Sequence, residues 1–179
     1  GEGSIPSGCV PAPPGAGNCL PVVDQRRLHG EPAGGKVDPS VDAGDGFVVA
    51  IKSDGMLWAW GENGVGQLGD GTTEDKSTPI MIGSDSDWLM VNAGRAHTLA
   101  LKTDGTLWAW GWNQDYRIGD GTLDTKYVPT KIGTDTDWQN ISAGYDHSLA
   151  IKNNGTLWAW GANIHRQLCD GSNNTKTVP

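Results

Sequence analysis

Two histidines of this sequence have a residue type and a regular spacing that could support acid–base chemistry. His97 and His147 lie 50 residues apart in closely similar stretches. A histidine acts as a base or a metal ligand only when partner groups converge on it. Neither residue belongs to a His-x-x-x-His pair or to another metal-ligand spacing. We therefore predict a structural role for both, in which the ring hydrogen-bonds a neighbouring loop.

Acidic turns are the second candidate for chemistry, because carboxylate oxygens are ligands of Ca²⁺. Such turns are formed by Asp85 with Asp87, by Asp135 with Asp137, and by Asp70-Gly71-Thr72. They lack the regular run of oxygen donors of a calcium loop, so we predict that their side chains hydrogen-bond the turn backbone instead. The sequence also has no nucleophile elbow, phosphate-binding loop or haem-attachment motif. It therefore predicts a protein without catalytic residues, metal or other cofactor.

Cysteine chemistry is suggested near the N-terminus. Cys9 and Cys19 enclose a short proline-rich loop, and a disulfide there would constrain a segment that has no core of its own. Such a bond requires an oxidising compartment, which favours a secreted or cell-surface protein. Cys169 is the odd cysteine, and we interpret it either as a buried thiol or as one half of an intermolecular bond.

Aromatic and cationic residues form the strongest candidate for a binding surface. Trp112, Tyr116 and Arg117 lie in one loop, and His165 and Arg166 occupy the matching loop 50 residues later. Tryptophan, tyrosine and arginine are enriched at the centres of protein interfaces. We therefore predict that these loops contact a partner, which is a protein or, alternatively, a carbohydrate.

Composition restricts the kinds of partner. The chain has 179 residues and a formal net charge of −8, whereas nucleic-acid binding needs clustered Lys and Arg. No apolar run approaches the roughly 18 residues of a membrane-spanning helix. The sequence thus predicts no nucleic-acid partner and no membrane span, and it gives no indication of a small-molecule ligand.

The elements that position these residues follow from an internal repeat. Leu-Trp-Ala-Trp-Gly occurs at 57–61, 107–111 and 157–161, always 50 residues apart. Prolines, lysines, Ala-Gly pairs and Asp-Gly pairs keep the same offset. Eight of the nine tryptophans are predicted to pack in the core or between repeats because they occupy matched positions or form matched pairs: Trp58, Trp60, Trp88, Trp108, Trp110, Trp138, Trp158 and Trp160.

Three repeats divide the chain from about residue 41 onward. We set them at 41–90, 91–140 and a truncated 141–179. Residues 1–40 contain seven of the ten prolines and no trace of the repeat. They are predicted to form an irregular, extended arm, or alternatively to carry one docked strand near Leu20.

Each repeat is predicted to form four short strands. In the second repeat, strands 98–102 and 106–110 flank Asp-Gly, which is a strong hairpin signal. A third strand is expected at 128–132 and a fourth at 138–142. Four short strands in about 50 residues, repeated in tandem, predict an all-β fold of β-propeller blades in an incomplete ring.

The repeat resembles that of the regulator of chromosome condensation family. The resemblance rests on Ala-Gly-Arg-Ala-His-Thr-Leu-Ala-Leu at 93–101, and on Trp-Gly-Glu-Asn-Gly-Val-Gly-Gln-Leu-Gly at 60–69. It implies a propeller, usually of seven blades. The sequence Asp-Gly-Thr-Leu-Trp-Ala-Trp-Gly resembles that of bacterial members. Members of the family include GTPase exchange factors, chromatin binders, ultraviolet receptors and interaction scaffolds, and the fold does not choose among these roles.

The combined prediction is a non-catalytic interaction or structural module of a bacterial surface protein. Three blades leave open faces and strand edges, so we expect either missing flanking repeats or association with copies of the chain, including head-to-tail filaments. A neighbour's arm could add the missing strand of the last repeat. The alternatives are a carbohydrate-binding module that uses Trp112 and Tyr116, or an exchange-factor fragment.

Overall fold

The computed structural model describes Cys9–Val10, Leu20–Pro21 and residues 38–179, and it divides into two compact units, Gly1–Ala33 and Gly34–Pro179. In the first unit, β1 (Cys9–Val10) and β2 (Leu20–Pro21) pair antiparallel, with Cys9 opposite Pro21. The predicted Cys9–Cys19 disulfide lies outside the described residues, because Cys19 is not among them.

The second unit consists of three antiparallel sheets. The first contains β3 (Ser40–Ala43), β4 (Phe47–Ile51), β5 (Leu57–Gly61) and β6 (Lys76–Met81). The second contains β7 (Trp88–Ala93), β8 (His97–Lys102), β9 (Leu107–Gly111) and β10 (Lys126–Ile132). The third contains β11 (Trp138–Ala143), β12 (His147–Lys152) and β13 (Leu157–Gly161). Residues 38–179 contain no helix, and the predicted all-β, propeller-type fold is confirmed.

The hairpin predicted at Asp104-Gly105 is confirmed. Gly105 has a φ of +77° and its N–H donates to the Lys102 carbonyl at 2.9 Å. A Cβ at this glycine would collide with the Thr136 carbonyl of the next turn. The position therefore needs glycine both for its left-handed backbone and for the close approach of a second turn.

The sheets are offset from the strand order predicted for each repeat. The strand predicted at 138–142 is β11, and it pairs with β12 rather than closing the sheet of β10. A strictly periodic sequence has no marked starting point, so its period does not reveal where one sheet ends. The third sheet has three strands, and its missing outermost strand is the counterpart of β10. At that position the described residues form only an isolated bridge between Lys176 and Gly161.

Two hydrophobic cores lie between the sheets. One face of the first sheet, including Leu57 and Ala59, packs against Trp88 and Trp110 of the second. The matching face of the second sheet, including Leu107, packs against the third. Within residues 38–179 no sheet covers the corresponding face of the third sheet, and the ring is not closed.

Candidate interaction surface

The loop after the third strand of each sheet is built on a buried asparagine. Asn63 donates through Nδ2 to the Asp70 carboxylate (2.9 Å) and to the Thr72 carbonyl (3.0 Å). Its Oδ1 accepts the backbone N–H of Leu68 at 3.0 Å. Asn113 and Asn163 repeat these bonds in the next two loops. A fixed internal frame therefore supports each loop.

An aspartate closes the far side of each loop. Burial acts to raise the pKa of Asp70, but hydrogen bonds from Thr72, Asn63 and Lys76 outweigh it and hold that pKa below its usual value. The pKa values of Asp120 and Asp170 are lowered in the same direction. These aspartates bond the turn backbone and hydroxyl, so they stabilise the loop in ionised form.

The loop tips differ although their frames are alike. The three tip residues are 64–66, 114–116 and 164–166. Tyr116 and Arg166 hold φ values of +59° and +61° at the position of Gly66. Gly66 packs under the Tyr127 ring, where a Cβ would lie 2.6 Å from a ring carbon. In the next repeat the residue at the position of Gly66 is the larger Tyr116, and the residue at the position of Tyr127 is the smaller Thr177.

Arg117 is buried beneath the predicted binding loop. Its guanidinium pairs with Asp115 at 2.6 Å and with Asp146 of the third sheet at 2.8 Å, and it lies 4.5 Å from the Trp112 ring centroid. The side chain has no exposed area, so it positions Trp112 instead of meeting a partner itself. Its counterparts are glutamines, and the joint appearance of Asp115 and Asp146 is the sequence signal that would have indicated this network.

The other candidate residues lie at the surface. Trp112 and Tyr116 are half-buried, whereas His165 and Arg166 are exposed on the following loop. Arg166 donates to the Asn173 side chain at 2.9 Å. Trp112 lies beside Arg95, a residue that we did not single out as a site residue, with 5.9 Å from the guanidinium carbon to the ring centroid.

Arg95 and Tyr145 extend the surface. The Arg95 guanidinium lies 4.4 Å from the Tyr145 ring centroid and its Nε lies 3.8 Å from an Asp45 oxygen. The three residues occupy one repeat position, and their differing types were the available signal for a variable surface.

The repeated histidines lie between sheets, not in a cleft. His97 is fully buried, with Nε2 2.9 Å from the Ser148 hydroxyl of the third sheet. That hydroxyl donates to the Arg117 carbonyl at 2.7 Å, so Nε2 of His97 must carry the proton and donate. Burial lowers the pKa of His97 to about 3, helped by the charge of Arg117. His147 is half-buried on the uncovered face of the third sheet.

The acidic turns at 85–87 and 135–137 bind lysines, which differs from the predicted bonds to turn backbone, whereas Asp70 accepts the Thr72 backbone N–H as predicted. Lys102 Nζ lies 2.6 Å from Asp85, 3.0 Å from Asp87, and 4.7 Å from the Trp108 ring centroid. Although burial acts to lower the pKa of Lys102, hydrogen bonds to both aspartates raise it. Lys152 repeats this arrangement with Asp135, Asp137 and two tryptophans. In the described part of the chain, no group of three or more His, Cys, Asp or Glu residues is placed to hold a metal.

Cys169 is exposed, so our interpretation of it as a buried thiol is wrong. It takes the place of Gly69 and Gly119 and keeps their left-handed backbone, with a φ of +55°. A Cβ at Gly119 would lie 2.5 Å from Nε1 of Trp160, which packs there from the next sheet. No tryptophan packs on Cys169 among the described residues, so its side chain has room.

Comparisons with known proteins agree with this architecture. The regulator of chromosome condensation (RCC1) repeat model matches residues 54–101 and 104–151, and a second model of the same repeat matches 40–67 and 138–167. A search of curated protein sequences finds no match.

Among residues 38–179 and the two short described strands, no helix is long and apolar enough to cross a membrane.

Solved structures share the fold at low sequence identity. Human WBSCR16 matches with a TM-score of 0.68 and 24% identity over 78% of this chain and 37% of its own. Yeast RCC1 (Prp20) bound to Kap60 matches with a TM-score of 0.71 and 22% identity over 90% of this chain and 38% of its own. Prp20p from Saccharomyces cerevisiae, described with its binding to Gsp1p and histones, matches with a TM-score of 0.71 and 23% identity over 90% of this chain and 39% of its own. The chain therefore spans less than two-fifths of the length of these relatives. Since one repeat model alone matches more than half of the chain, the protein belongs to the regulator of chromosome condensation (RCC1) repeat family.

Proposed function

We propose that this protein is a non-catalytic interaction module that binds a protein partner through the loop face around Trp112. The observation that carries the proposal is the contrast within each loop. The buried asparagine, the aspartate and their hydrogen bonds recur in all three loops, while the three residues of each tip differ completely between loops. Binding residues commonly lie on variable loops held by a rigid scaffold.

The chemistry of this face supports a protein partner. Trp112 is held by a buried guanidinium and lies beside Arg95, which in turn stacks on Tyr145. Aromatic residues and arginine supply most of the energy at protein interfaces, particularly when they are fixed in place before binding. Yeast Prp20, which shares this fold, is bound by Kap60 and binds Gsp1p and histones, which supports a protein partner for this chain.

Affinity capture with matched variants tests the proposal. We expect Trp112→Ala and Tyr116→Gly to abolish capture of a partner that the wild-type chain retains. Tyr116→Gly restores the residue type of Gly66 at a positive φ, so it should not impair folding. Leu123→Ala is the control, because Leu123 is an exposed apolar residue of the same loop outside its tip. Capture that is insensitive to Trp112 and Tyr116 would contradict the proposal.

Self-association through the open faces is a second candidate. Leu157 on the third sheet is 64% exposed and Val41 on the first sheet is 68% exposed, at positions that are buried in the internal interfaces. A copy docked in the internal register would place Trp60 against Cys169, where the internal interfaces have glycine. We therefore propose a shifted packing between copies. Light scattering tests it, and a monomer at micromolar concentration would refute it.

We also propose that the chain belongs to a secreted or cell-surface protein of a bacterium. The net charge of −8 and the pair Cys9 and Cys19 support this location. Intact-mass measurement after alkylation without reductant tests it, because an oxidised pair resists alkylation. Two alkylated thiols at Cys9 and Cys19 would remove the main support.

A further inference from the structure

A groove between the first two sheets brings charged, amide and aromatic side chains together beside the loop tips. It encloses about 400 Å³ and is lined mainly by Asp45, Glu62, Gln67, Asp75, Arg95 and Trp112. This size suits one long side chain with a short stretch of backbone rather than a folded domain.

Gln67 gives the groove an unused hydrogen-bond donor. The residue is only 4% exposed, and its Oε1 accepts the Val65 backbone N–H at 3.0 Å. Because a backbone N–H can only donate, this bond fixes which end of the amide is oxygen. The amide NH₂ has no hydrogen-bond partner among residues 38–179, and the side chain lines the groove. The amide donor therefore opens onto the groove, where an acceptor of a ligand can reach it.

Gln67 is also held rigidly. Its backbone carbonyl accepts the Thr98 hydroxyl at 2.9 Å and the Trp110 indole N–H at 3.0 Å. Both donors come from the second sheet, so two hydrogen bonds fix the backbone of this residue to that sheet. A ligand that accepts from its amide would lose little conformational entropy of the protein.

The charge of the groove is negative. Asp45, Glu62 and Asp75 contribute carboxylates, and Arg95 is the single cation lining the groove. Arg95 interacts with Asp45 and stacks on Tyr145, while Asp75 accepts the Asn63 backbone N–H at 2.8 Å. Glu62 makes no ion pair or side-chain hydrogen bond with the described residues. The groove therefore has excess negative charge centred on Glu62.

We propose that this groove binds an extended, positively charged protein segment. A Lys or Arg side chain of the segment lies between Glu62 and Asp75, with its aliphatic part against Trp112. A backbone carbonyl of the segment accepts the Gln67 amide N–H. This inference rests on the function proposed above and specifies the class of partner.

Fluorescence polarisation with synthetic peptides tests this inference. The probes are labelled eight-residue Gly/Ser peptides that carry two arginines, two glutamates or no charge. We expect only the arginine peptide to bind, and we expect its binding to weaken between low and moderate salt. Equal binding of all three peptides, or no binding of the arginine peptide, would overturn the inference.

Three variants locate the binding. Glu62→Gln should weaken binding of the arginine peptide by about threefold to tenfold, because it removes a charge with little change of shape. Glu74→Gln is the matched control, since Glu74 belongs to the same loop but does not line the groove, and binding should not change. A Glu62→Gln variant that binds as well as the wild type would contradict the charge assignment.

Gln67→Glu separates the hydrogen bond from the charge. It keeps the acceptor for the Val65 N–H but removes the donor, so binding should weaken although the groove gains negative charge. Stronger binding would overturn the role of the amide, and thermal unfolding checks that the variant folds. If Trp112→Ala abolishes partner capture while the arginine peptide fails to bind, the partner class is wrong and the interaction module stands. If both tests fail, both proposals fall.

Discussion

The sequence Thr-Leu-Trp-Ala-Trp-Gly occurs in the second sheet at 106–111 and in the third at 156–161, with different surroundings. Leu107 is completely buried, whereas Leu157 is 64% exposed. The second sheet is covered on this face by the third sheet, and no described residue covers the third.

The comparison shows that the same sequence plays two structural roles in this fold, which depend on whether a neighbouring sheet covers it. In the second sheet this six-residue segment supplies core residues, and in the third it forms a surface. The repeats therefore stabilise each other pairwise, as in other repeat proteins where neighbouring units bury each other's apolar faces. A substitution at matched positions should have an effect that depends on which interface it touches.

The largest expected difference follows from truncating the two leucines. Leu107→Ala should lower the free energy of unfolding by about 2–5 kcal/mol, because it leaves a cavity between two sheets. Leu157→Ala should lower it by about 1 kcal/mol or less. Urea unfolding measures both values. Similar losses for the two variants would show that the third sheet is covered in solution.

The buried histidine predicts a dependence of stability on pH. His97 has a pKa of about 3 in the folded protein, well below the ordinary value near 6.5. The unfolded chain therefore binds more protons between these values, so stability is present above pH 6.5 and is lost as the pH falls. The slope attributed to this residue is about 1.4 kcal/mol per pH unit.

The window from pH 6.5 to about 5 isolates His97 from most carboxylates. His97→Phe places there the residue found at Phe47 in the first sheet, and it should reduce the slope measured by urea unfolding at several pH values. His147→Phe should have a smaller effect, since His147 is only half-buried. An unchanged slope in His97→Phe would contradict the neutral, buried histidine.

The glycine positions beside the packed tryptophans give the next difference. Gly119→Ala should destabilise the protein by about 2 kcal/mol, because a Cβ there meets the Trp160 ring and the backbone has a positive φ. Cys169→Gly should instead stabilise it, by about 1 kcal/mol at most, since it relieves a left-handed backbone without removing a contact. Thermal unfolding distinguishes the two. A destabilised Cys169→Gly variant would mean that something packs on the Cys169 side chain.

The lysines give the smallest expected difference. Lys102→Met should cost about 1 kcal/mol, because Lys102 bonds two aspartates and contacts two tryptophans. Lys52→Met should cost less, since Lys52 lies over the Trp58 ring but forms no ion pair with the described residues. Chemical unfolding in low salt measures both. Equal costs would show that the acidic turn does not stabilise its lysine.

Sequence reasoning predicted the repeated elements well because their signals are local. The Asp104-Gly105 turn and the alternating residues beside it specify the hairpin of β8 and β9 without reference to other sheets. The third strand of that repeat was also predicted within two residues of β10. The grouping of strands into sheets was not predictable in the same way, since a period of 50 residues fits any starting point.

The candidate site was predicted only in part, because it depends on contacts between sheets. Trp112 stood out by its residue type, but the burial of Arg117 depends on Asp146 in the next sheet. The groove depends on Gln67, a residue that recurs as Gln167 and whose free amide is visible only when its hydrogen bonds are known. Residue type indicated a candidate binding loop, and three-dimensional contacts determined which of its residues are buried and which are exposed.

Hydrogen–deuterium exchange of the two identical segments tests the central claim most directly. Their intrinsic exchange rates are nearly equal, because residues 106–111 and 156–161 have the same sequence. The account predicts markedly slower exchange in β9, which lies between two strands inside a covered sheet, than in β13, whose outer edge has a single bridge at Gly161. At a concentration where the chain is monomeric, equal protection of the two segments would contradict the account, because it would require a covered and paired third sheet.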